Sequence, residues 1–147
     1  MLYFVSFLGQ FIGWFIANRT EEELKDGRRY FLILTTSLLA LLISFSIYYS
    51  FNVYLLIIGL IIGYLINKEY LFFGILSMKN DILLNSLIFV YGLPYGSLNY
   101  KSIRILLTNI LLFFIPFLLL FFNINFYNLG AGGLLGILVK RIYLYIK

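Results

Sequence analysis

The chain has 147 residues, of which 63% are hydrophobic, 20% aromatic and only 12% charged, whereas soluble domains carry about 25% charged residues. Eleven basic residues against six acidic ones give a formal net charge of +5 at pH 7, and there is no cysteine and no histidine. Disulfides, thiolate nucleophiles, the usual zinc ligands, imidazole haem ligation and histidine acid–base chemistry are therefore excluded from this chain, and the composition points to lipid as its solvent.

Charge-free stretches run over Met1–Asn18, Tyr30–Asn67, Ile82–Tyr100 and Ile105–Val139, and a helix needs about 20 apolar residues to cross a bilayer core. The pattern predicts an all-α polytopic membrane bundle of five or six segments, forming one transmembrane domain over 1–147. Barrel strands would alternate polar and apolar residues over about 10 positions, and these runs are apolar all round. No cofactor and no nucleic-acid partner is expected.

The first predicted element is a span over Leu2–Ala17. No Lys or Arg precedes it and no A-x-A-like site follows it, so it reads as a retained span rather than a signal peptide. Next comes "NRTEEELKDGRRYF", Asn18 to Phe31. Thr20 and Glu23 have capping-box spacing, which predicts a short surface helix that Gly27 loosens before the next span begins. Glu22 and Asp26, four apart, are candidate ligands for a divalent cation. Arg28 and Arg29 are candidate anchors for a lipid phosphate.

Tyr30–Asn67 is 38 residues long, about 57 Å as a straight helix, so it must fold back. The corner is predicted at Tyr48–Asn52, where tyrosines, Ser50 and Asn52 suit a headgroup layer.

Leu71–Gly92 is ambiguous because Lys79 and Asp81 interrupt it. Ionisable groups at membrane depth cost about 2.5 to 3.5 kcal/mol each and mark functional candidates. Either the run spans once, with Ser77, Asp81 and Asn85 as a polar stripe at fourfold spacing, or it is a broken or re-entrant hairpin with Lys79, Asn80 and Asp81 at its tip and Asp81 capping the second arm. The second arrangement puts ten of the eleven basic residues on one face and is preferred on that ground. By the positive-inside rule the loop 18–29 and the C-terminus are then cytoplasmic and the N-terminus outside.

"YGLPYGSLNYKSIR", Tyr91 to Arg104, is expected to be a loop with a type I turn at Leu93–Gly96. Lys101 and Arg104 are further candidates for a lipid phosphate. Ile105–Val139 should form a second hairpin turning at Asn123–Asn128, kinked at Pro116. Gly9/Gly13, Gly59/Gly63 and Gly132/Gly136 each have the G-x-x-x-G spacing that lets helices approach closely.

Three functions are compatible with these residues. The leading expectation is a transporter or channel-type protein, homo-oligomeric or part of a membrane complex, passing a small solute or ion past Ser77, Lys79, Asn80, Asp81 and Asn85. A second is an enzyme acting on a lipid or lipid-linked phosphate at the cytoplasmic surface, through Glu22, Glu23 and Asp26 with the four anchoring cations. A third is a non-catalytic subunit or assembly factor of a membrane complex.

Overall fold

The structure, a computed structural model, describes residues 2–49, 51–122 and 126–146. Among the described residues the chain is all-α: α1 (Leu2–Arg19), α2 (Glu21–Tyr49), α3 (Val53–Ile66), α4 (Glu69–Ser77), α5 (Ile82–Leu98), α6 (Ile103–Phe114) continued by a 3₁₀ segment (Ile115–Phe122), and α7 (Tyr127–Ile146). Among the described residues one helix is by itself long and apolar enough to cross a membrane, over Asp26–Tyr49 of α2.

Glycine decides which helices meet. Gly9 and Gly13 of α1 lie against the backbone of Phe89 and Leu93 in α5, and Gly92 and Gly96 return the contact against Gly9, Gln10 and Trp14. Gly59 and Gly63 of α3 do the same with Leu129 and Gly133 of α7, answered by Gly132 and Gly136 against Leu56 and Leu60. In both couples rising residue numbers meet rising residue numbers, so each pair is parallel. A Cβ would come within 2.0 to 2.4 Å of a carbonyl oxygen at Gly9, Gly13, Gly59 and Gly63; only a residue without one permits backbones this close.

The core sits between these couples and is largely aromatic. Tyr70, Phe72, Phe73, Tyr91 and Phe113 are buried, with tilted and edge-on pairs such as Phe73–Tyr91 (ring centroids 4.8 Å) and Phe7–Tyr70 (5.6 Å), the geometry that ring quadrupoles favour.

Two ends of the bundle differ in charge. At one end Arg19, Arg28, Arg29, Lys68, Lys101, Arg104, Lys140 and Arg141 gather, tied by Tyr100 to Glu21 (2.7 Å) and by Lys140 Nζ to the Tyr64 carbonyl (3.0 Å). At the opposite end stands Lys79. Its ammonium lies 4.4 Å from the Tyr49 ring centroid and 4.7 Å from that of Tyr127, and the Leu2 amide donates to Asn80 Oδ1 (3.3 Å).

Three local expectations are corrected. The surface helix and the span after it are one helix, α2, because Gly27 inside a helix costs only about 1 kcal/mol and no proline or cap accompanies it. Thr20, the residue between α1 and α2, turns its hydroxyl back to the Ile16 carbonyl (3.1 Å). Pro94 lies inside α5 rather than in a turn. It deprives the Val90 carbonyl of its helical donor, yet the helix continues because Gly92 and Gly96 seat it on α1 and Ser97 Oγ bridges the Leu93 carbonyl (3.0 Å) and the Gly13 carbonyl (3.1 Å). The chain does turn between Tyr49 and Val53, where Asn52 caps α3 through Leu55 N–H. Residues 123–125 of the later corner lie outside the described residues.

Candidate functional site

Asn67 ends α3 in the left-handed region, φ 51°, with its amide on the Gly63 carbonyl; asparagine is one of the few side chains that tolerates this conformation. Extended Lys68 follows, and α4 starts at once with Glu69, whose acid suits a helix N-terminus. The two-residue connection pulls Glu69 inside the basic end, where it is only 7% exposed.

Its partners come from two other helices. Tyr91 of α5 donates its hydroxyl to Glu69 Oε2, and Arg141 of α7 donates through Nη2 to Glu69 Oε1 and, at 3.2 Å, to the Tyr91 hydroxyl. Arg141 reaches that depth because α7 is glycine-rich on the face it turns to α4: a Cβ at Gly133 would sit 2.1 Å from ring atoms of Phe72. Each member of the triad thus satisfies the other two, which a buried ion pair requires if it is not to cost free energy.

Above the triad opens a cavity of about 300 Å³, lined by Arg28, Asn67, Glu69, Tyr95, Lys140 and Arg141 among others. Tyr95 stacks on Tyr91 (5.7 Å, 29°). Behind it Asn109 Nδ2 and the Tyr70 hydroxyl are buried without a protein partner. A second groove of about 330 Å³ shares Arg28 and Asn99 with the cavity and runs past Glu21, Tyr100 and Lys101. Its charges are exposed, and two of them pair: Lys101 Nζ lies 3.4 Å from Glu21 Oε1. Hydrogen bonding to Glu21 raises Lys101 above 10.5 and Tyr100 above 10.0, because the carboxylate favours the protonated partner.

The residues singled out in the sequence fall in several places. Arg28 lines both the cavity and the groove, and Lys101 the groove alone. Arg29 and Asp26 are exposed, as are Lys79 and Asn80. The Glu22 side chain lies outside the described residues, and no group of three acidic side chains able to hold a metal occurs among the described ones. Asp81 caps α5, accepting from Leu84 N–H (3.1 Å); Asn85 Nδ2 donates to the Asp81 carbonyl (2.7 Å); Ser77 donates to the Gly74 carbonyl (2.9 Å). Asp81 and Asn85 thus interact at the start of α5, while Ser77 bonds within α4.

Sequence reasoning missed Glu69, Tyr91 and Arg141. One signal was present: apart from Asp81, Glu69 is the only acid outside 21–26, and it opens an apolar run. Comparison of the chain with protein-family models, curated proteins and solved structures finds no match.

Proposed function

We propose that the chain is a multi-pass membrane protein that binds a phosphate-bearing ligand in the cavity above Glu69, Tyr91 and Arg141. The membrane assignment is supported by the apolar exterior, where Phe4, Phe15, Ile33, Leu65, Ile82 and Leu111 are all exposed, a surface that water would penalise and acyl chains would not. The charge asymmetry of the two ends supports a cytoplasmic basic end and an N-terminus outside.

The observation that carries the ligand assignment is the excess of cations over the one carboxyl in the cavity. Arg141 offsets Glu69, leaving Arg28 and Lys140 facing the same space. Guanidinium and ammonium groups around a concave site are the usual holders of phosphate. This reading is nearest to the lipid-phosphate expectation, with the site moved from residues 22–26 to the floor of the cavity.

The test is ligand-linked stability of the purified protein in a non-ionic detergent. Inorganic phosphate or a soluble short-chain phosphatidic acid should raise the unfolding temperature in proportion to RT ln(1 + [L]/Kd), and Arg28→Ala with Lys140→Ala should remove most of the effect. No shift with either compound ends the proposal.

A transport reading has one observation in its favour: the helix break at 78–81 next to buried Asn85, whose Oδ1 has no protein partner. Against a through-path, Leu39, Leu42, Phe72, Phe73 and Ile88 are fully buried in the core. Loss of solute flux from reconstituted vesicles on Asp81→Asn and Lys79→Met would favour transport.

A further inference from the structure

Resting on the phosphate reading, we infer that the ligand is a phosphate-bearing lipid whose head occupies the cavity and whose acyl chain leaves sideways through a cleft between α2 and α7. That cleft, about 270 Å³, is lined by Leu32, Thr36, Arg141, Leu144 and Tyr145. It is continuous with the cavity, since Leu32, Arg141 and Leu144 border both.

The chemistry changes sharply along this path. Thr36 Oγ1 donates to the Leu32 carbonyl at 2.8 Å, and Thr35 Oγ1 to the same carbonyl at 2.9 Å. With their donors turned back on their own helix, the threonines present mostly carbon, as Leu32 and Leu144 do. Arg141 is the charged side chain at the junction. Its contacts with Glu69 and Tyr91 use Nη2, and a guanidinium carries three more N–H donors on Nε and Nη1.

A soluble anion has no use for an apolar side exit, whereas a lipid needs both parts in this order. Leu32, Leu144 and Tyr145 are exposed on the flank of the bundle, where a membrane would bring acyl chains against them. Tyr145 lies one turn beyond Arg141, a position that suits a tyrosine at headgroup depth.

The experiment compares binding of inorganic phosphate, dihexanoyl phosphatidic acid and dihexanoyl phosphatidylcholine to the full chain in non-ionic detergent. It is run on wild type and on Thr36→Trp, with Thr36→Phe as a smaller cleft-filling variant read in the same way should the first fail to fold; Thr36 borders the cleft and not the cavity. Phosphatidic acid should bind at least tenfold more tightly than inorganic phosphate and than phosphatidylcholine, and the tryptophan should erase the margin over inorganic phosphate while phosphate binding stays. Equal affinity for phosphate and phosphatidic acid, or a margin that survives the tryptophan, overturns the lipid inference and leaves the phosphate site standing. Failure of both phosphate compounds to bind overturns the site itself.

Discussion

Gly63 of α3 rests on the carbonyl of Gly133 in α7 so closely that a Cβ would stand 2.0 Å from the oxygen. Backbone cannot retreat as a flexible side chain can, so any substitution has to push two helices apart. Gly63→Leu should unfold the protein or lower its unfolding temperature by more than any exposed substitution, with the change confined to α3 and α7 in hydrogen exchange. Protection lost first in α1 and α5 would contradict the pairing.

Gly27 supplies the opposite case. It lies in the first turns of α2, and a Cβ there would meet only the Phe31 ring at 3.4 Å, an ordinary contact. Gly27→Ala should therefore stabilise the helix by about 0.5 to 1 kcal/mol through helix propensity, read as a higher melting temperature in detergent.

Removing one member of the buried triad strands the others. Glu69→Ala or Arg141→Ala should each cost about 3 to 5 kcal/mol, whereas Glu69→Leu combined with Arg141→Met should recover part of that loss, because the desolvated charges leave together. The combined variant should nevertheless bind phosphate less well than wild type. Wild-type affinity in it would make the triad a structural strut alone.

Lys79 between the rings of Tyr49 and Tyr127 is a cation–π clasp at the end opposite the basic cluster. Because the lysine is exposed, Lys79→Met should cost only about 0.5 to 1 kcal/mol. In oriented vesicles a cysteine placed at 79 should react with a membrane-impermeant thiol reagent from one side and a cysteine at 104 from the other. Labelling of both from the same side would overturn the arrangement of the ends.

Alkali should act on the exposed pair. Glu21 raises Lys101 above 10.5, so the contribution of the pair is fully present below pH 10.5 and is lost as pH climbs through the raised value. In a titration followed by NMR of the Lys101 ammonium, Glu21→Gln should bring the midpoint back toward 10.5. An unchanged midpoint would remove Glu21 as the cause.

Length arithmetic and apolar runs made α1, the turn between Tyr49 and Val53 and the all-α class readable in advance, because each depends on properties summed over many residues. The continuity of α2 through Gly27 and of α5 through Pro94 was hidden, since a local breaker says nothing of the neighbour that compensates for it. The triad was hidden for a stronger reason. Glu69, Tyr91 and Arg141 are brought together by the glycine faces through which α5 and α7 pack on their neighbours, and no spacing along the chain encodes which carboxyl will meet which guanidinium.

Parallel pairing of α1 with α5 sets a delay into biogenesis. The seat for Gly9 is the backbone of Phe89, and at ribosomal speeds of about 5–20 residues per second that stretch takes on the order of 4 to 16 s to emerge. Throughout the interval the nascent α1 has a bare small-residue groove and no mate, so its glycine face stays uncovered until the fifth helix arrives.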